Sequence, residues 1–449
     1  MPQSTRAMLF QKGSIVVSIT LGLLIFSLSV VKPKFYSSDD HEVYIQTLAL
    51  AEHGSISLDY FRRDLPPERT LEGTHGLYSK YGIGYPLVAT PFLIILKKFG
   101  LQKIAGNVKN YKVPCFLFFI LSIYCFSEIL KLLQYKQKTV QNKSWRRFLI
   151  FSYACGTFAT YYSVSWPANS FEMSLILIAI WAWLKCESIQ MSTSWKWAAL
   201  CGFTLGWAGV SRGLPFLLAP FFSFTWLRTL YKEFRHSHQL NRHALLKLAC
   251  FCAPLAICLI FTLWINWYKT GHIGTTYHST EGFSTPFWIG LTGSLLWPGK
   301  AFFFYAPLCL LGVISLPSFI RKYNQVGFLF SGIILFYLIS ISTWWAWMSG
   351  PDVGQRFWLP LVPIFILILV DLSNKWLKTL AFGLTAVGLV LQIFMYFMSP
   401  GETWANLVRE FPYAETNEQV SNTSGRDLLR AAYQTYFNGA FYRNYKKLP

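Results

Sequence analysis

Charge is what this chain has least of. Only 13% of its 449 residues are Asp, Glu, Lys or Arg, against about a quarter in an ordinary soluble domain. Acids are the scarcer half, 20 Asp+Glu beside 40 Lys+Arg. With so few polar groups, 53% hydrophobic and 18% aromatic residues cannot be hidden in one globule under a polar surface. That excludes a soluble enzyme, and the same apolar content excludes a disordered scaffold. Metal-ligand spacing is missing too. The nine cysteines all lie in or at the edges of apolar segments, and none pairs with nearby histidines at zinc spacing. They read as small buried apolar residues, which leaves no disulfide framework, no metal and no cofactor. What remains is a mean hydropathy of +0.36 and apolar runs repeated along the chain, the pattern of a polytopic membrane protein. The net charge of +20 is assigned to the positive-inside bias rather than to nucleic acid.

The runs predict about eleven transmembrane helices: Gly13–Val31, read as a retained helix, then 113–133, 148–165, 170–185, 196–212, 213–230, 246–268, 301–319, 326–345, 357–373 and 379–398. With the N-terminus inside, cytoplasmic loops collect Lys131, Lys136, Lys138, Lys143, Arg146, Arg147, Arg228, Lys232, Arg235, Arg242, Lys247, Arg321, Lys322, Lys375 and Lys378. The short outer loops hold little beyond Arg212, Lys269, Lys300 and Arg356. The expected domains are therefore 1–398, a transmembrane domain whose first outer loop is 32–112, and 399–449, a polar, aromatic extracytoplasmic tail. Gly84–Leu96 is apolar but about 13 residues long, too short to span. It is expected as a helix lying on the outer membrane face.

Ionisable residues at a membrane boundary are expensive and so are candidates for function. The first cluster is Asp39-Asp40-His41-Glu42-Val43-Tyr44, opening a helical pattern that ends at Gly54. Locally it has two readings: a carboxylate poised as general base, or acids capping a surface helix. Three acids and a histidine exceed what a cap requires. The second is His75-Gly76-Leu77-Tyr78-Ser79-Lys80-Tyr81, where Lys80 between tyrosines is either a phosphate ligand or a snorkelling anchor. The third is Asn169 to Glu172, an acid entering an apolar helix that needs a partner across the bundle. Arg212 and the stretch Asp352 to Arg356 complete the set, each arginine being read as opening a span and as a fork for phosphate oxygens.

These motifs together resemble the GT-C superfamily of membrane glycosyltransferases. The branch is that of the protein O-mannosyltransferases (family 39) and lipid A aminoarabinose transferases (family 83). The resemblance covers roughly residues 10–400. It is carried, in order, by DDHEVY, GLYSKYGIGYPLVATP, SFEMSLILIAIWAWL, GWAGVSRGLPFLLAP, WIGLTGSLLWPGKAFFFYAPL and GPDVGQRFWLPLVP. It implies an all-α, polytopic GT-C bundle with juxtamembrane helices in a large first outer loop. It also implies a polyprenyl-phosphate sugar donor (undecaprenyl or dolichyl) and a lipid, glycan or protein acceptor carrying a hydroxyl. Transfer inverts the anomeric centre. Asp40, four residues before Tyr44, matches the base, with Asp39 as fallback and Glu172 as a second catalytic acid. Lys80, Arg356 and Arg212 match donor-phosphate ligands. His41, Glu42, Tyr44, His75, Tyr78, Tyr81, Asn169 and Asp352 are expected to line the substrate site.

The chain departs from those relatives in reading Asp-Asp-His-Glu at the acidic motif, and in lacking the large soluble insert of the eukaryotic mannosyltransferases. The latter favours a bacterial plasma membrane, with the site facing outward. A polyprenyl-linked glycan transporter is the main alternative, a polysaccharide polymerase or ligase the second. Charged residues gathered at one face, without paired repeats, point away from passage across the bilayer.

Overall fold

A backbone crossing hydrocarbon must satisfy its own hydrogen bonds, and helices do so within one segment. A computed structural model of the chain describes residues 38–65, 70–100, 108–136, 143–165, 167–188, 193–237, 242–274, 281–296, 300–348 and 354–397. The expected first span at 13–31, Asp352 and the tail 399–449 lie outside the described residues.

The first loop folds as helix α1 (Ser38–His53), an antiparallel hairpin of β1 (Thr70–Gly73) and β2 (Gly76–Ser79), and helix α2 (Gly84–Lys98). α1 ends where the pattern placed it, at Gly54 with φ 61°. Asp39 and Asp40 lie inside its first turn. The hairpin was not expected from the sequence. It is anchored by Asp59, whose Oδ1 accepts the Leu77 amide at 3.1 Å and whose Oδ2 takes the Ser57 hydroxyl at 2.6 Å.

The bundle follows as α3 (Val108–Lys136), α4 (Lys143–Cys155), α5 (Ala159–Ser165), α6 (Pro167–Ser188), α7 (Ser194–Arg212), α8 (Ala219–Ser237), α9 (Arg242–Thr270), α10 (Phe287–Leu296), α11 (Leu308–Thr343), α12 (Leu361–Leu367) and α13 (Lys375–Phe397). Among the described residues five helices, within α3, α6, α9, α11 and α13, are long and apolar enough to cross a membrane. α6 is apolar all round and buried all round, the mark of a central helix. α9 and α13 keep broad apolar faces exposed, as lipid-facing helices do.

Three expectations change. The single segment 148–165 is two helices broken near Gly156, where α13 crosses so closely that a Cβ on Gly388 would lie 2.1 Å from the Gly156 carbonyl oxygen. Arg212 closes α7 rather than opening a span, since Gly213 at φ 73° ends that helix. Cys252 is exposed on α9 instead of buried, on a face turned away from the bundle. The segment 301–319 is a short helix at Phe302–Tyr305 followed, after a break at Ala306, by the first arm of α11, and most of 326–345 is its second arm. Its backbone leaves the helical range at Tyr323 and Asn324, and Phe319 stacks on Phe330 with centroids 5.5 Å apart. Eleven residues of straight helix would separate them by about 16 Å, so the chain doubles back there.

Helix direction and contacts give the bundle two polar ends. One holds the starts of α1, α3 and α6, the ends of α7 and α9, and the turn before α12. The other carries Lys322–Asp371 at 2.6 Å, Lys247–Glu187 at 3.6 Å and the Trp145 indole donating to the Leu369 carbonyl at 2.9 Å.

Candidate active site

The first of these ends gathers the acids of α1 against cations from the rest of the chain. Adjacent helical residues point about 100° apart, so Asp39 and Asp40 reach different partners. Asp39 Oδ2 meets the Arg356 guanidinium at 2.9 Å. Asp40 Oδ2 meets Lys112 Nζ at 3.0 Å beside Tyr111, and its side chain is wholly enclosed, whereas that of Asp39 is 19% exposed. Burial raises the Asp40 carboxyl above its ordinary range, outweighing the pull of Lys112.

Glu42, one helical step further, accepts the Ser79 hydroxyl at 2.7 Å and the Lys80 backbone amide at 3.2 Å, both on Oε1. Its Oε2 is buried without a hydrogen-bond partner among the described residues. Desolvation pushes its pKa up to about 8, opposed by the Ser79 hydrogen bond. This contact locks the end of β2 onto α1. The strand end is gripped from the other side by Lys269 of α9, whose ammonium donates to the Ser79 and Tyr81 carbonyls at 3.0 and 3.2 Å.

Lys80 extends from that locked segment, and its Nζ is 2.5 Å from Glu281 Oε1, both side chains buried. The glycines beyond it allow the chain to press onto the end of α7. A Cβ on Gly82 would stand 2.4 Å from the Ser211 carbonyl oxygen, and one on Gly84 2.3 Å from Ser211 Oγ. The Trp207 indole donates to the Gly84 carbonyl at 3.2 Å. Lys80 and Arg212 are thereby held on abutting segments.

Glu172 finds its cross-bundle partners: Arg212 Nε at 3.2 Å and the Tyr337 hydroxyl of α11, which donates at 2.6 Å. The guanidiniums of Arg212 and Arg356 lie 5.0 and 4.9 Å from the centroid of one ring, Phe357, a cation–π geometry. Asn169 donates to the Arg356 carbonyl at 3.4 Å. Gln355, next to Arg356, donates to Ser294 and to the Trp347 carbonyl, each at 2.7 Å, fixing the turn that delivers the arginine.

Of the residues singled out in the sequence, Asp39, Asp40, Glu42, Lys80, Asn169, Glu172, Arg212 and Arg356 come together at this end. His41 is half-buried in the same turn of α1, and Tyr81 is half-buried beside Lys80, its ring 5.7 Å from that ammonium. Tyr44 is buried and packed edge-on against Tyr111, and Tyr78 is buried and packed edge-on against Tyr268. His75 is exposed at the hairpin tip near Tyr268, away from the charged cluster. Lys112, Lys269, Glu281 and Tyr337 were missed. The signal for Lys112 and Lys269 was a charge at the edge of an apolar run; Glu281, in a polar stretch, and Tyr337, inside an apolar run, gave none.

No family model matches the chain, and no curated protein matches it in sequence. Solved structures do. The chain is similar to ArnT from Cupriavidus metallidurans bound to undecaprenyl phosphate, with TM-score 0.51 and 10% identity over 95% of this chain and 75% of ArnT. The apo form of ArnT gives 0.52 and 9% over the same shares. The chain shares the fold of ArnT. An oligosaccharyltransferase from Archaeoglobus fulgidus aligns over 92% of this chain and 60% of its own, at 10% identity and TM-score 0.49. The likeness to the two ArnT structures is one of fold, and it agrees with the fold that the motifs' resemblance implies.

Proposed function

We propose that this protein is an inverting glycosyltransferase that moves a sugar from a polyprenyl phosphate to a hydroxyl acceptor. The observation that carries the reading is the pairing of carboxylates with buried or partly buried cations at one end of a GT-C bundle, built from the same motifs that carry the resemblance. A phosphate-linked donor needs cations at the leaving group, and an acceptor hydroxyl needs a carboxylate at the opposite side of the anomeric carbon.

In the proposed step the acceptor oxygen attacks the anomeric carbon while the bond from that carbon to the phosphate oxygen breaks. The electron pair leaves with the phosphate and the hydroxyl proton passes to the base. We assign the base to the Asp39–Asp40 pair. Sequence spacing favours Asp40. Geometry favours Asp39, because Asp40 is enclosed against Lys112 whereas Asp39 is partly open beside Arg356. Lys80, Arg356 and Arg212 are the candidate phosphate ligands, with Glu172 holding Arg212 in place. The same reading takes the fold as about eleven spans, places this end outside a bacterial plasma membrane, and makes undecaprenyl phosphate the carrier.

The deciding experiment is transfer of radiolabelled sugar from polyprenyl-phosphate donors by purified protein, comparing wild type with Asp39→Asn and Asp40→Asn. Sugar release lost in one variant establishes transfer and fixes the base. Donor moved across liposomes with no sugar released, and no effect of either substitution, replaces the enzyme with a transporter.

A further inference from the structure

The cations proposed to meet the donor phosphate are already matched by carboxylates in this state. Arg356 holds Asp39, Arg212 holds Glu172, Lys112 holds Asp40, and Lys80 holds Glu281. An anionic donor entering such a site must displace a carboxylate, because a buried cation cannot serve two full negative charges without leaving one of them uncompensated. Three of the four carboxylates sit on helices, α1 and α6, whose flanks are packed. Glu281 alone lies on a loop. The residues just after it are tied down: Trp345 donates its amide to the Gly282 carbonyl at 2.8 Å, and Thr285 donates its amide to the Thr343 carbonyl at 3.0 Å. Glu281 thus stands next to an anchored segment and outside any helix.

We infer that Glu281 is a carboxylate placeholder for the donor phosphate: it pairs with Lys80 and yields that ammonium to the incoming polyprenyl phosphate. This rests on the reading of Lys80 as a phosphate ligand. The exchange keeps Lys80 paired at every stage, so the lysine never stands buried and uncompensated. It also sets the selectivity of the position, since only a group with at least one full negative charge and oxygens matching a carboxylate replaces Glu281 without loss. A neutral lipid or an unphosphorylated glycan does not.

The test is equilibrium binding of undecaprenyl phosphate to the full-length protein in detergent, for wild type, Glu281→Gln, Lys80→Gln and the double variant. With the competitor removed, Glu281→Gln is expected to bind about ten-fold tighter or more, a fraction of the cost of breaking a buried pair. Lys80→Gln should bind more weakly, and the double variant should match Lys80→Gln, because the gain acts only through that ammonium. Glu281→Asp keeps the charge with a shorter reach, is expected midway, and serves where the amide variant does not fold. If Lys80→Gln weakens binding while Glu281→Gln is unchanged or weaker, the placeholder is overturned and Lys80 keeps its phosphate. If Lys80→Gln binds as wild type does, the phosphate reading of Lys80 falls and the placeholder with it.

Discussion

Glu42 gives the sharpest physical test of the site. The folded protein holds this carboxyl at a pKa of about 8, against an ordinary 4.5, because the side chain is buried and only Oε1 is hydrogen-bonded. Between those two values the folded state keeps a proton that the unfolded chain has released. Folding there takes up a proton, so stability falls as pH rises from about 4.5, and levels off above about 8. A span of about 3.5 pH units at ~1.4 kcal/mol each gives roughly 5 kcal/mol as the upper bound of the loss. Relaxation of Lys269 and Lys80 toward the ionised carboxylate reduces it. The assay is the thermal midpoint of the detergent-solubilised protein from pH 5 to 9 at one scan rate, with Glu42→Gln alongside. The amide keeps an oxygen for Ser79 and the Lys80 amide but cannot titrate. Wild type should lose several degrees relative to Glu42→Gln across the window. Parallel curves would refute the desolvation argument. A wild type that gains on the variant as pH rises would mean that Glu42 is ionised and paired with Lys269.

Asp39→Asn should lower turnover by about 10²-fold or more if it removes the base, leaving donor binding within a few-fold; Asp40→Asn should act mainly on thermal stability, since it removes the charge from the buried pair with Lys112. Single-turnover kinetics against binding separates the two. Arg356→Lys keeps the charge but loses the fork and the contact with Phe357, and is expected to slow sugar transfer at least ten-fold, in contrast to the common view of that exchange as mild. Gly82→Ala drives a methyl group into the Ser211 carbonyl; it should cost about 1–3 kcal/mol of stability and weaken undecaprenyl phosphate binding by misplacing Lys80, with a normal midpoint and unchanged binding counting against the docking argument.

Legibility in the sequence followed the range of the forces involved. Helix ends announced by local chemistry were readable: Gly54 closes α1, and the apolar, aromatic run after Ile83 forms α2. The arms of α11 were readable because each contains a long apolar stretch. The break between α4 and α5 was not, because it comes from the approach of Gly388, more than two hundred residues away. The site divides in the same manner. Charges inside or beside apolar runs stood out by their cost, which is how Glu172, Arg212, Arg356 and the acids of α1 were found. Which carboxylate meets which cation depends on how six helices and a hairpin converge, and no spacing encodes it. The hairpin itself went unseen, since four-residue strands with a Thr-His turn carry too little pattern. Its register follows from Asp59 and Glu42 reaching it from elsewhere.

The arrangement of ion pairs bears on how charge would move during transfer. On the proposed reaction the base accepts a proton and becomes neutral, while the departing phosphate gains a full negative charge. One unit of negative charge therefore passes from the start of α1 to the neighbourhood of Lys80, and the total does not change. Arg356 is the residue placed to follow it. It is bound to Asp39 at 2.9 Å and shares the Phe357 ring with Arg212. When Asp39 is protonated, the pull holding Arg356 to α1 weakens, and the guanidinium becomes available to the oxygens whose charge is growing. A cation handed from base to leaving group stabilises the transition state more than the ground state, which is the condition for raising turnover rather than binding.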